Sequence, residues 1–506
     1  MNNNKIKEIH IMRSVLSFAL ISALLLFAGC GKKSEKREYT LLVRMLQMQQ
    51  KYFENEIIRP FEKQNNCKIK LVSYDKMWDI ETILKLQQEK QDPNVLLVKI
   101  PFEMTRLLAQ KNYMEELHST VDSATLEKNM AEYHPLALGL GYVDSKLYYV
   151  PRKLETRVLF YLKSKVKEVA ENWTKFEKDL NKLLKAQNGY GLPKGYAFEE
   201  NPENWDYYDM FVAGYYWANT HYFNVNVLMP RIAHRADRYE GTALGLVDIS
   251  VQFGASSEQI LGMAGDPVID MFIWEAAFIK NGIYNPEMWN GAWRGTDIYK
   301  GIQDGKVFMT VFQQIDCFNV HGWEDNPEMR GFLKDPSDMG VATMPTAVSF
   351  ELNKDGTYVR QGTKKMTTGG WWWGVPKTSP NKKLAYDLAR FITSHDNQAN
   401  ECSKFGMVPV RKDIMNRIGE TFEMGWVGDI FRVSVSQLEY NDLATIPLVR
   451  EYDETSKNYI EAWYDVCVNP YGMGKASPVS YESIKKKLME KYVPAQKQIL
   501  AGAKGK

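Results

Sequence analysis

Three apolar runs near the start of the chain, residues 39–45, 68–72 and 95–98, are separated by segments whose apolar residues return at helical spacing. Ile57, Ile58 and Phe61 mark the first of these segments, and residues 80–88 form the second. A strand that is to pair in parallel with its predecessor needs a crossover, and a helix is the usual one. The alternation therefore predicts an α/β lobe built on a parallel, doubly wound sheet, with the turns at the strand ends facing a cleft.

Ahead of this pattern, Lys5, Lys7 and Arg13 precede an uncharged apolar run at residues 15–28. The run falls short of the about 20 apolar residues that span a bilayer, so residues 1–29 read as a cleaved export signal. Its end, Leu26-Phe27-Ala28-Gly29-Cys30, resembles the bacterial lipobox, which implies that Cys30 is lipidated. Residues 30–38 are polar and basic, as a tether beside a membrane should be. A chain of 506 residues exceeds what one core serves, so two lobes are expected. The net charge of +2 is accounted for by Lys5, Lys7, Arg13 and Glu8, and no basic stripe or zinc-finger spacing points to nucleic acid. Cys67, Cys317, Cys402 and Cys467 lie far apart among strand-like and helix-like residues; buried thiols and bridges both remain open.

Further along, residues 102–117 read as a helix and 146–151 as a strand stopped by Pro151, where the second lobe begins. Residues 154–163 are again strand-like and 173–186 helical, whereas 187–300 show no clear period and read as helices and long loops. Residues 307–312, 339–345 and 369–376 read as strands, followed by a helix at 383–393 with Leu384, Ala385, Leu388, Ala389 and Phe391 on one side. Residues 481–500 form a further amphipathic helix.

Four segments, residues 92–117, 144–161, 305–309 and 369–411, resemble the family-1 extracellular solute-binding proteins of ABC transporters, whose members include the maltodextrin-binding protein. The last is the most specific: Gly369-Gly370, a strand, Pro376-Lys377-Thr378-Ser379, an amphipathic helix and Gly406-Met407-Val408-Pro409-Val410-Arg411 follow in the family's order. The resemblance implies an α/β, two-lobed periplasmic-binding-protein-like fold with a hinge and an interlobe ligand cleft. Residues 39–150 plus 371–435 would form the N-terminal lobe and 151–370 plus 436–506 the C-terminal lobe, with crossings near Pro151, Gly369 and residues 430–440. It also implies a carbohydrate ligand, a pair of ABC permease transmembrane subunits as partners, a cytoplasmic ATPase beyond them, and a location outside the cytoplasm. Asn94 and Gln313-Gln314-Ile315-Asp316 depart from the family's pattern, which bears on the ligand rather than the fold.

A sugar offers hydroxyls at its edge and apolar C–H faces, so its site wants flat aromatics and bidentate polar groups. On a strand, Trp371, Trp372 and Trp373 cannot all face one way, and Trp371 and Trp372 are the leading candidates for the cleft. Glu155, which follows the hinge proline as an acidic residue does in the family, is a hydroxyl acceptor or a salt-bridge partner of Arg152 or Arg157. Gln49 and Gln50 follow the first strand, and Lys99 and Glu103 the third. Trp205, Tyr208, Gln314 and Asp316 fall near the family's cleft-facing turns, while Tyr149 and Arg152 would brace the hinge.

No H-E-x-x-H, G-x-S-x-G or G-x-x-x-x-G-K-[ST] motif occurs, so no cofactor, metal or catalytic residue is assigned and a binding protein rather than an enzyme is expected. Two carboxylates suffice for a glycosidase, which keeps a surface glycosidase as one alternative. A solute-binding protein for a polyamine, peptide or anion is the other.

Overall fold

The computed structural model describes residues 37–503 apart from 77–78, 91–93, 220–228, 325, 419–421, 423–424, 442–451 and 473–477. The expected export signal, the lipidation candidate Cys30 and most of the expected tether lie outside the described residues, as do Asp92 and Pro93. No described helix is long and apolar enough to cross a membrane.

The chain lays down β1 (Glu38–Val43), a helical run α1 (Gln47–Tyr52, Phe53–Ile58 and Arg59–Asn65), β2 (Lys68–Ser73), α2 (Asp79–Lys90), β3 (Val95–Pro101), α3 (Phe102–Gln110) and β4 (Tyr149–Glu155). A second set follows: β5 (Arg157–Leu162), α4 (Tyr207–Asn219), β6 (Arg231–Ala233), α5 (Glu240–Gln252), α6 (Asp266–Lys280), β7 (Val307–Gln313), α7 (Gln314–His321) and β8 (Met339–Ala342). The chain then returns as β9 (Gly369–Gly374), α8 (Lys382–Ile392) and α9 (His395–Phe405), and ends in helices that include α10 (Trp426–Tyr440) and α11 (Tyr452–Trp463).

The first sheet has the order β2-β1-β3-β9-β4 and the second the order β8-β5-β7-β6. β1 pairs in parallel with β2 and β3, as the alternation predicts, but β9 runs antiparallel to both β3 and β4. The first sheet is therefore mixed rather than purely parallel, because β9 comes back from the second lobe against the direction of its neighbours. Every residue of β3 is buried, consistent with a central strand covered on both faces. Each sheet anchors its own hydrophobic core, so the fold is two-lobed.

The crossings differ from their expected places. Pro151 does not end a strand; it lies inside β4, and the chain leaves the first sheet at buried Thr156. Opposite β9 the register skips Arg152, with Trp371 facing Lys153 and Trp372 facing Pro151. A bulge absorbs a proline that has no N–H to give to the ladder. The chain re-enters the first sheet with β9 at Gly369. The third crossing precedes Trp426 rather than falling at 430–440, because α10 packs on β5, β8 and α7 of the second lobe. Residues 426–433 thus pack with the second lobe, while Val435 and Leu438 of the same helix reach the first core.

Residues 187–300 resist a periodic reading for a physical reason. In α4 residues 207–218 are all buried, and in α6 residues 268–279 are, so neither helix carries a polar face. By contrast α8 buries Ala385, Leu388, Ala389 and Ile392 on one side and is capped by the Asn381 side chain, which accepts from the Leu384 amide. Cys67, Cys317, Cys402 and Cys467 are buried and form no disulfide with one another.

Candidate ligand-binding cleft

The C-terminal ends of β1, β2 and β3 open on one side of the first sheet, where parallel strands of α/β proteins place their sites. A cleft of about 480 Å³ lies there, within the range of about 300–1,000 Å³ usual for small-molecule sites. The loop after β1 contributes Arg44, Met45 and Leu46, and the turn after β2 contributes Tyr74 and Asp75. Lys99 of β3, Lys153 and Glu155 of β4 and Trp371 of β9 line its floor, and Ile315 and Met329 reach in from the second lobe. Register puts the floor together: Trp371 sits opposite Lys153, and Trp373 opposite Lys99, so strand alternation turns Lys99, Lys153 and Trp371 to one face.

Trp371 is held at its edge and on one face. Its Nε1–H donates to Glu155 Oε1 at 3.0 Å, and Lys99 Nζ stands 4.0 Å from the ring centroid. Lys153 Nζ lies 2.7 Å from Glu155 Oε1. Desolvation pushes the Glu155 carboxyl upward, but the Lys153 charge and hydrogen bond, Trp371 and Arg157 outweigh it and hold the pKa below the ordinary value. Glu103 is exposed yet ringed by enough protein for desolvation to raise its pKa, with the Glu155 charge adding to the effect. Beneath the floor, Arg152 Nη2 donates to Glu401 Oε1 at 2.5 Å, and Gln49 Nε2 donates to the same oxygen at 3.2 Å. Across the hinge, Arg157 and Asp248 pair at 3.1 Å and both are buried. Behind that pair is a mostly apolar cavity of about 80 Å³ inside the second lobe, reaching His234, Arg235 and Gln252, with room for a few waters.

The profile of the bacterial extracellular solute-binding proteins matches residues 56–424, most of the chain. This chain belongs to that family. The solute-binding protein also superposes on solved structures of low identity. The sugar-binding protein MalE of Xanthomonas citri shares 15% identity over 92% of this chain and 98% of its own, with a TM-score of 0.61. An ABC substrate-binding protein of Listeria monocytogenes in complex with cycloalternan shares 14% identity over 92% of this chain and all of its own, with a TM-score of 0.61. Maltose-bound MalE3 of T. maritima shares 16% over 90% and 99%, at 0.57. No curated protein sequence matches significantly. At these identities the structures support the two-lobed fold alone.

The solute-binding protein distributes the residues singled out from its sequence unevenly. Trp371, Glu155, Lys99 and Gln49 line the cleft. Trp372 does not: it is fully buried, donates from Nε1 to the Ala137 carbonyl at 3.1 Å and packs against Phe102, because alternation turns it to the opposite side of β9. Trp205 and Tyr208 are corrected in the same way. Both are fully buried in the second core, donating to the carbonyls of Glu199 and Phe350. Gln50 lines an outer groove beside Glu54 and Arg59 instead of the cleft and accepts from Ser73. Gln314 is buried at the hinge, where its Oε1 accepts from the Thr156 amide at 3.3 Å, and Asp316 is buried between Arg235 and Tyr299. Glu103 stays exposed on the first turn of α3 and within electrostatic reach of Glu155. Sequence reasoning passed over Arg44, Tyr74, Asp75 and Lys153; the ends of the strands were a usable signal for the first three, and the alternation of β4 for the last. Among the described residues no group of three or more His, Cys, Asp or Glu is placed to hold a metal ion.

Proposed function

We propose that this solute-binding protein is the capture subunit of an ABC importer, lipid-anchored through Cys30 outside the cytoplasm, and that its ligand is a carbohydrate held against Trp371. The observation that carries the reading is the partly exposed indole in the cleft, locked at its edge by the Glu155 carboxylate. A flat apolar face beside an ionised acceptor suits a pyranose, which needs both in one place. The structures bound to maltose and cycloalternan support this assignment. Domain closure about the three crossings gives a permease a shape that reports occupancy, since a ligand that binds the closed form better shifts the population toward it.

Calorimetry of the protein purified in detergent, against mono- and oligosaccharides, polyamines, peptides and anions, tests the ligand class. Binding of saccharides alone supports the reading, and binding of a polyamine or peptide alone replaces it. Absence of sugar release from chromogenic glycosides would separate a receptor from a glycosidase. Replacing Cys30 with Ala should release the protein from the membrane fraction.

A further inference from the structure

Lys99 is 2% exposed at the cleft floor, a degree of burial that an ammonium tolerates only with good partners. Among the described residues, the one polar acceptor of its Nζ is the Arg44 carbonyl oxygen, at 2.6 Å. An ammonium has three N–H donors and needs an anion to offset the loss of water. The carboxylates nearest to it are already engaged. Glu155 is held by Lys153 at 2.7 Å and by Trp371, and Glu401 by Arg152 at 2.5 Å and Gln49. Arg152 and Lys153 of β4 add like charge, Tyr74 gives its hydroxyl proton to the Lys99 carbonyl, and Trp371 offers only its ring. Burial, with Arg152 and Lys153 reinforcing it, therefore lowers the Lys99 pKa well below the ordinary lysine value. The other acids nearby, Asp75 and Glu103, lie exposed at the edge of the cleft, and among the described residues neither forms an ion pair with Lys99.

We propose that the bound carbohydrate carries a carboxylate, as a uronate residue does, and that this carboxylate is received by Lys99 while the sugar face lies on Trp371. This rests on the carbohydrate reading and narrows it. A hydroxyl could fill a donor direction but could not offset the buried charge, whereas a carboxylate does both. Lys99 stands over one face of the indole, so the sugar lies on the part of that same face that the amine leaves uncovered, with its carboxylate on the lysine and its hydroxyls toward Glu155. Since the amine gains a carboxylate partner on binding, binding takes up a proton at Lys99 wherever the free protein leaves the amine neutral.

The test is calorimetry of the full chain in detergent with paired probes: digalacturonate against galactobiose, and glucuronate-containing disaccharides against their neutral counterparts, each in buffers of different ionisation enthalpy. We expect at least one uronate to bind about tenfold or more tighter than its neutral partner, with proton uptake. Lys99→Met should weaken that uronate by about ten- to a hundredfold and abolish the uptake, while Lys99→Arg keeps most of the preference. The melting temperature of each variant checks that it is folded, and the wild-type preference stands as evidence without any variant. Equal or tighter binding of the neutral sugars overturns the inference and leaves the carbohydrate reading intact. Failure of every sugar, acidic and neutral, overturns both.

Discussion

The Trp371 indole N–H donates to the Glu155 carboxylate across the two strands that carry the chain out of the first lobe and back into it. Hinge and cleft floor are thus one structure: the bond ties β9 to the last residue of β4, one position before the crossing at Thr156. Shifting either strand tilts the indole.

Trp371→Ala should lower sugar affinity about tenfold or more and change the melting temperature little, since the side chain is only partly buried. Trp372→Ala should do the reverse, costing about 3–5 kcal/mol of stability through the cavity it leaves in the first core. Paired calorimetry and denaturant titration distinguish the two. Equal affinity losses in both variants would contradict the opposed orientations of neighbouring residues on β9.

Arg152 and Glu401 form a buried ion pair, with the guanidinium 5.4 Å from the Trp373 ring and 5.6 Å from Phe53. Removing one partner, as in Glu401→Gln, leaves a charge without an anion and should cost about 3–5 kcal/mol. Replacing Arg152 with Met and Glu401 with Leu together should cost less than the single change, which a double-mutant cycle on chemical denaturation measures.

His234 bridges two acceptors: Nδ1 lies 2.7 Å from the Arg235 carbonyl oxygen and Nε2 3.1 Å from Glu275 Oε2. Both nitrogens must carry protons to satisfy both contacts, so the folded protein favours the imidazolium. Desolvation opposes this, but the charge and hydrogen bond of Glu275 and the Arg235 carbonyl outweigh it, and the His234 pKa is raised. Its contribution to stability is therefore complete below the unfolded-state value, about 6.5, and is lost as pH rises through the higher folded-state value. Melting temperature should fall over that window in the wild type and fall less in His234→Gln. Glu275 also accepts from Tyr284 and Trp463, so the effect should register where α11 packs on the second lobe.

Gly406 closes α9 with a φ of 60° and faces the second lobe, where an added Cβ would stand 2.7 Å from the Phe318 ring. Gly406→Ala should strain the left-handed turn and hold the lobes apart. Sugar affinity is expected to drop several-fold through a faster off-rate, with no cleft residue changed. Stopped-flow fluorescence of Trp371 would show it, and an unchanged off-rate would mean that this contact is absent from the bound form.

Much of the architecture could be read directly from residue order. Short apolar runs alternating with helical periods required a parallel sheet at 39–98, because strand and helix periods cannot be exchanged without turning the apolar side chains to water. The amphipathic helix at 383–393 and the glycine pair before the tryptophans were legible for the same reason, since each carries its burial pattern locally. The tryptophan run itself showed that its members must diverge.

Which tryptophan lines the cleft was a tertiary matter, decided by the register of β9 between β3 and β4 and by the bulge at Arg152. So were the burial of Trp205 and Tyr208 in helices and turns with no polar face, and the diversion of Gln314 to the Thr156 amide. The burial of Lys99 belongs here too, for a lysine in sequence carries no sign that its neighbours' carboxylates will be claimed by other cations. Periodicity records which face of an element is apolar; only packing settles what lies against that face, and a binding site is made of what is left uncovered.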